Sequence, residues 1–258
     1  MCLIRDQPHY RRWAFEQGIR RAGHKLVDRE PCDALVIWNR YGTNEQLADK
    51  IEAQGGIVLV AENGYFGNDF DNRQFYALAQ GGHNGNGRWV CGLSNRWDRF
   101  GVDFADWRVS GDEIVICPQR GIGPNRLAQP REWGDDVARR LRRITTRPVR
   151  IRPHPGNQKP VHALERDLAS AHAVVVWNSN CATTALIMGI PVFYEGPAIV
   201  TGPACNRGIE NINIPEFPDR AAAFERMAWA QWSVADLESG EPFALLLREP
   251  EENSRAAN

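Results

Sequence analysis

The chain has 258 residues, 43% of them hydrophobic and 24% charged, with 31 lysines and arginines against 32 aspartates and glutamates. A near-zero net charge supplies no bulk field to hold nucleic acid or an anionic membrane, so an anionic partner has to be caught by a local patch. The six scattered cysteines form no CxxC pair, which argues against a disulfide framework or a zinc site; no apolar run reaches the roughly 20 residues that cross a bilayer; and without a secretory segment a reducing cytoplasm is the expected location.

Apolar runs followed by turn residues and then amphipathic segments recur along the chain. "DALVIWN" (33–39) reads as a strand, and the following "TNEQLADKIEAQGG" as a helix that Thr43 caps, in which Leu47 and Ile51 share a face and Gly55-Gly56 end the run. "GIVLVAENGYFG" (56–67) is a second buried strand running into a glycine-containing loop, which completes a strand-helix-strand unit. Residues 81–112, rich in Gly, Asn and Trp, lack periodicity and are expected to link two halves. The second half repeats the plan: "DEIVICPQRGIG" as strand and loop, "PREWGDDVARRLRRI" as helix, "PVRIRPHPG" as strand and loop, and "VHALERDLASAH" as helix. "AVVVWNSNCATTALIMG" follows as strand, polar turn and helix, and "IPVFYEGP" as a last strand. "PDRAAAFERMAWAQWS" reads as a terminal helix and "REPEENSRAAN" as a frayed tail. The alternation predicts an α/β class with parallel, covered sheets, divided into a lobe over 1–110, a lobe over 111–215, and a terminal helix and tail over 216–258 that packs back on the first lobe.

In open α/β sheets ligands bind beyond the carboxyl ends of the strands, and the polar clusters of this chain lie there. The first half offers Asn39, Arg40, Glu62, Asn63, Tyr65, His83 and Asn84. The second offers Gln119, Arg120, Arg152, His154, Asn178, Ser179, Asn180, Thr183 and Thr184. Two such sets imply a cleft between two lobes. "WNSNCATT" puts hydroxyls and amides at a helix start, where unpaired N–H groups attract anions, or where Ser179 or Thr183 simply caps the helix. Arg120 and Arg152 can add bidentate contacts to a diphosphate. His154 sits between two prolines that fix its loop, with Gly156 allowing close approach, and either ring nitrogen can donate. Glu62 has no basic neighbour in sequence, so burial would raise its pKa into the range of a general base, a role for which His83 in the glycine loop competes.

Other motifs carry less. Asp69 to Asp71 have the D-x-D form of a metal-diphosphate ligand, a triplet common by chance. The basic run 139–152 is either a solvated helix face or a track for a polyanion. Arg96, Trp97, Arg99, Trp107 and Arg108 interleave cations with aromatics, which suits an acceptor surface. No P-loop, GxSxG elbow, GxGxxG fingerprint or HExxH motif occurs.

From "RPHPG" to "AVVVWNSNCATTALIMGIPVFYEGP", the stretch 113–200 resembles the donor lobe of GT-B glycosyltransferases, particularly bacterial surface-polysaccharide enzymes and their phage-borne relatives. The resemblance implies two Rossmann-like lobes whose parallel sheets face a cleft. It places Arg152, His154, Ser179, Asn180, Thr183 and Thr184 around a nucleotide-sugar, expected to be UDP-linked, with Gln119, Arg120 and Asn178 beside them. The helix carrying "TTALIMG" lacks the carboxylate with which many such enzymes hold the ribose. Glu62 or His83 would be the catalytic base of a metal-independent, inverting transfer that needs no further cofactor, and Asn63, Tyr65, Asn84, Arg96 and Trp97 would meet the acceptor. Some phage enzymes of this architecture modify hydroxymethylated pyrimidines, and with the Arg/Trp-rich linker this makes double-stranded DNA, in a host cytoplasm, the expected acceptor. The alternatives are a surface-polysaccharide glycosyltransferase, a nucleotide-sugar epimerase, or a non-catalytic nucleotide- or nucleic-acid-binding protein.

Overall fold

In chain order the computed structural model, which describes residues 1–5, 11–67, 74–124 and 126–248, begins with β1 (Cys2–Ile4), α1 (Arg12–Arg21), β2 (Leu26–Val27), β3 (Ala34–Trp38), α2 (Thr43–Ala53), β4 (Ile57–Asn63) and β5 (Phe75–Gln80). β6 (Glu113–Cys117), α3 (Trp133–Ile144), β7 (Val149–Ile151), α4 (Leu164–Asp167), β8 (Ala171–Val176), α5 (Cys181–Ile187), β9 (Val192–Tyr194) and β10 (Asn206–Arg207) follow. The chain closes with α6 (Arg220–Ala228), β11 (Gln231–Ser233), α7 (Val234–Ser239) and α8 (Glu241–Leu246). The D-x-D triplet at Asp69 to Asp71 and all but the first residue of the expected tail lie outside the described residues.

Two compact units result. One holds Met1–Arg96 together with the chain from Arg226 onward, and the other holds Trp97–Glu225. The sequence reading drew these divisions at 110/111 and 215/216. Aromatic packing accounts for the difference, because Trp97 and Phe104 pack on Phe224 with ring centroids 4.8 and 4.9 Å from it, which ties the segment after residue 96 to the second unit.

The first unit has a six-stranded sheet in the order β11-β5-β4-β3-β1-β2. Alternate residues of each strand point to opposite faces. Cys2, Ile4, Val36, Trp38, Leu59, Ala61, Tyr76 and Leu78 pack under α1, α7 and α8, while Leu3, Leu35, Ile37, Val58 and Val60 pack against Ala48 and Ile51 of α2. Both faces are covered, so β3 reads as one continuous apolar run. β1 to β4 are parallel, but β5 runs antiparallel to β4 and β11 antiparallel to β5. The sheet is therefore mixed, where a parallel one was expected. The connection over 64–74 is shorter than the dozen or so residues a crossover helix needs, so the chain returns antiparallel.

β11 also corrects the reading of one terminal helix. α6 stops at Ala228, and Gln231 to Ser233 pair with Phe75 to Ala77. Sheet pairing and burial of Trp232 override the local helical propensity of the Ala- and Met-rich run. Ser233 and Asp236 then form a reciprocal capping box that starts α7, with bonds of 3.1 and 2.8 Å. Thr43 is the first helical residue of α2 and provides no side-chain cap, Gly42 standing before it at φ +59°. The helix expected over 161–172 shrinks to the four residues of α4, because Ala171 and His172 already belong to β8.

The second unit has a five-stranded, wholly parallel sheet in the order β10-β9-β8-β6-β7. From β6 the chain moves outward to β7, then crosses to the other side of β6 for β8 and β9. The order therefore reverses between β6 and β8, and in such sheets that point leaves a crevice beyond the strand ends.

Candidate active-site residues

In the second unit, the loops after β6 and β8 meet at this reversal. The Asn178 N–H donates to Gln119 Oε1 at 3.3 Å, and Gln119 is held from behind by Gln129, whose Oε1 accepts the Gln119 N–H at 2.7 Å. Gln129 is buried and was not singled out from the sequence.

The loop after β7 is built around His154. Its Nδ1 accepts the Gly156 N–H at 2.9 Å, and its carbonyl accepts from Asn157 and Gln158. With Nδ1 occupied as an acceptor, the neutral ring carries its proton on Nε2 and offers one directed donor. Burial, with Arg120 and Arg152 nearby, lowers the pKa of His154, which keeps the ring neutral at pH 7. A Cβ on Gly156 would lie 2.8 Å from Arg120 Cδ and 3.2 Å from His154 Nδ1, so the missing side chain leaves room for Arg120 against this loop.

Two expectations for this unit are corrected. Arg152 is buried rather than open to a diphosphate: its Nε donates to Asp167 Oδ2 at 2.8 Å and an Nη to the His162 carbonyl at 3.3 Å. The start of α5 is not a row of open N–H groups either, since Cys181, Ala182 and Thr183 donate to Ser179 Oγ, Ser179 O and Asn180 O at 3.3, 3.0 and 3.0 Å. Ser179 is thus a turn-former, as its capping alternative allows. Ser179 and Thr183 are buried, Asn178 and Thr184 are half-buried, and Asn180 is exposed. Glu195, the strand-end carboxylate after β9, binds Arg140 through both oxygens at 2.6 and 3.0 Å and accepts from Trp133 Nε1 at 2.9 Å.

In the first unit, Glu62 is the penultimate residue of β4, opposite Ala77 of β5. It is half-buried, and burial raises its pKa from 4.5 to about 7, opposed only by the Asn63 N–H 3.3 Å from Oε2. The loop that follows is held by Gln231 of β11, a fully buried residue that sequence reasoning missed. Its Oε1 accepts the N–H groups of Tyr65 and Phe66 at 2.7 and 3.0 Å, and its Nε2 donates to the Phe66 carbonyl at 3.0 Å. Tyr65 is buried, and its hydroxyl accepts the Asn84 N–H at 2.8 Å; Asn84 sits at φ +56°. Burial keeps the Tyr65 phenol protonated and lowers the pKa of the neighbouring His83. The structure thus brings Glu62, Tyr65 and Asn84 together, with Asn63 exposed beside them. Arg40 is tied to Asp49, Glu52 and the Gly81 carbonyl, which anchors the glycine loop. A cavity of about 880 Å³, lined among others by Ile4, Arg5, Arg29, Thr43 and Lys50, also lies in this unit and had no counterpart in the sequence reading.

Arg96 and Trp97 form no acceptor surface. Arg96 is buried between the rings of Trp229 and Trp232, 4.8 and 4.0 Å from their centroids, and pairs with Asp236 and Glu241. Trp97 is buried among Phe100, Phe104 and Phe224. Arg108 binds the carbonyls of Leu168 and Ala171, and Trp107 packs on Phe217 and under Arg220. The basic run 139–152 is likewise largely paired within its own unit: Arg139 with Asp136, Arg140 with Glu195, Arg150 with Glu113, and Arg152 with Asp167. Among the described residues no cluster of three or more His, Cys, Asp or Glu is arranged for a metal, and no helix is long and apolar enough to cross a membrane.

No protein-family model matches the chain, and no curated protein matches its sequence. Solved structures do match. The β-Kdo 2,7-transferase of Thermosulfurimonas dismutans KpsC aligns over 93% of this chain and 98% of its own with a TM-score of 0.55 at 12% identity. The β-Kdo 2,4-transferase of the same KpsC aligns over 88% and 90%, with a TM-score of 0.56 at 11% identity. At such identities the likeness is one of fold, and it extends over both units.

Proposed function

We propose that the chain is a glycosyltransferase of GT-B-like architecture that moves a sugar from a nucleotide donor to a saccharide hydroxyl. The observation that carries this reading is the likeness of fold over nearly the full length of two Kdo transferases, each itself a two-unit match rather than a shared nucleotide-binding half. Local geometry supports it. The second sheet reverses where Gln119 and Asn178 meet; the guanidinium of Arg120, on the same loop as Gln119, and the His154 Nε2–H, on the loop after β7, are the groups assigned to a donor phosphate. Glu62, held near neutrality, takes the proton of the acceptor hydroxyl.

The step assigned to these groups is a single displacement. The acceptor oxygen bonds to the anomeric carbon as its proton passes to a general base, the bond from that carbon to the donor phosphate oxygen breaks, and the negative charge leaves with the nucleotide. Arg120 and the His154 Nε2–H stabilise the charge as it develops. Inversion follows from one displacement. A saccharide acceptor, as in the surface-polysaccharide alternative, takes precedence over DNA because the basic run that was to follow a duplex is largely engaged in ion pairs.

The test is incubation of the full chain with a panel of nucleoside mono- and diphosphate sugars and short saccharides, Kdo-bearing ones included, followed by mass spectrometry and determination of the product anomer. A sugar-extended saccharide with inverted configuration is expected. Transfer only to hydroxymethylated DNA, a retained configuration, or release of an epimerised nucleotide-sugar without any acceptor would each overturn a stated part of the reading.

A further inference from the structure

We propose that Cys117 and Cys181 form a dithiol at the carboxyl end of the second sheet that a two-electron oxidant such as hydrogen peroxide converts to a disulfide, cross-linking the loops after β6 and β8. Cys117 is the last residue of β6 and Cys181 the first of α5. Because Cys117 lies in register with Val176, the turn over 177–180 carries the chain back above it and brings the two thiols close enough to perturb each other's ionisation. The bond from Asn178 to Gln119 closes the same two loops from the other side.

The pair is asymmetric in a way that assigns roles. Cys117 is 2% exposed, whereas Cys181 is half-buried. The neighbouring Cys117 thiol, the Ser179 side chain and the nearby Arg152 guanidinium outweigh burial at Cys181 and lower its thiol pKa from 9.0 to about 7; that of Cys117 is raised. Cys181 is therefore the attacking thiolate and Cys117 the resolving thiol. The Cys181 sulfur attacks one peroxide oxygen, the O–O bond breaks, and a sulfenic acid and hydroxide result. Cys117 sulfur then attacks the sulfenic sulfur, the S–S bond forms, and water leaves with the Cys117 proton and the sulfenic oxygen. The sum is two thiols and one peroxide giving one disulfide and two waters.

The effect on ligand binding rests on the function proposed above, since Gln119, Arg120, Asn178 and Asn180 belong to the cross-linked loops; the oxidation itself does not. The experiment treats the full chain with hydrogen peroxide, alkylates the remaining thiols, digests without reductant and maps the products by mass spectrometry. A cross-link between tryptic peptides 109–120 and 167–207 is expected, reversed by dithiothreitol. Cys205 lies in the second peptide, so the assignment is repeated in the Cys205→Ser variant, where the cross-link persists. In Cys117→Ser the cross-link is absent and Cys181 is trapped as sulfenic acid by dimedone. Full alkylation of Cys117 and Cys181 under peroxide that oxidises the exposed Cys91 overturns the proposal, as does a cross-link that disappears in Cys205→Ser. Calorimetry with UDP and CMP separates the two readings. At least tenfold weaker binding by the oxidised chain is expected; equal binding in both redox states overturns the coupling, and a mapped disulfide with no nucleotide bound in either state overturns the donor-site reading alone.

Discussion

Replacing Glu62 by glutamine removes a carboxyl that folding carries out of water, and its effect on stability should oppose its effect on turnover. Burial moves the pKa of Glu62 from 4.5 in the unfolded chain to about 7 in the fold. At 1.36 kcal/mol per pH unit this makes the ionised side chain about 3 kcal/mol less favourable folded than unfolded. The folded state binds the extra proton between those two values, so stability falls as pH rises through the window and stays lower above pH 7. Glutamine has no charge to lose, and its Oε1 can still accept the Asn63 N–H. Urea titrations at pH 5 and pH 8 should find Glu62→Gln more stable than the parent by about 3 kcal/mol at pH 8 and by under about 1 kcal/mol at pH 5. Transfer should fall by about 10²- to 10⁴-fold in the same variant, and the parent's kcat/KM should rise through pH 7 as the base ionises. An equal stability difference at both pH values, or a variant no more stable than the parent at pH 8, would refute the reasoning.

Three further substitutions separate donor binding from structural support. His154→Asn retains an oxygen able to take the Gly156 N–H but lacks the Nε2 donor, so calorimetry should find nucleotide affinity about 10-fold lower, near the 1.5 kcal/mol or so of a charge-assisted hydrogen bond; since the folded His154 pKa is lowered, the variant should also escape the stability that the parent loses as pH falls below 6.5. Gly156→Ala places a methyl 2.8 Å from Arg120 Cδ and should weaken nucleotide binding several-fold while leaving the melting temperature nearly unchanged. Arg152→Met leaves Asp167 buried without its partner and should cost about 3–5 kcal/mol in urea titrations, a loss that Arg152→Met with Asp167→Leu largely restores.

Much of the fold could be read from the sequence where local signals agreed. The buried strands at 34–38, 57–63 and 113–117, and 173–176 of β8, announce themselves as apolar runs, and α2 and α3 by their spacing and end signals. What escaped depended on partners far along the chain. Nothing local in "QWS" says strand; its pairing with β5, more than 150 residues earlier, makes it one. The same distance hides Gln231, whose amide holds the loop after Glu62. The positions of the residues after strands were legible because the strands were, and His154 and Gly156 share the turn their prolines imply. The arginines misled for a physical reason. A guanidinium in a sequence shows its charge but not the carboxylate that neutralises it, and Asp167, Glu113 and Glu195 all come from other elements.

That pairing bears on the acceptor. A protein that tracks duplex DNA neutralises several phosphates at once, and its affinity falls with salt in proportion to their number. Four arginines of the run are already engaged: Arg139, Arg140, Arg150 and Arg152 each meet a carboxylate within 3.0 Å, while Arg142 and Arg143 are exposed. Releasing Arg152 to a phosphate would leave Asp167, 13% exposed, without its partner, a cost that a polyanion would have to outweigh there. Arg120 forms no ion pair among the described residues, and it lies near a neutral imidazole whose Nδ1 is occupied by the Gly156 N–H, which leaves Nε2–H as its donor. One guanidinium, one directed N–H and neighbouring amides match the leaving group of a small donor far better than they match a phosphate backbone. Nucleotide affinity should therefore decline only weakly between 50 and 200 mM salt, with a logarithmic slope near that of about one or two neutralised charges, measured by calorimetry with UDP and CMP. A slope as steep as that of a duplex-binding protein would return the basic run to the site and DNA to the list of acceptors.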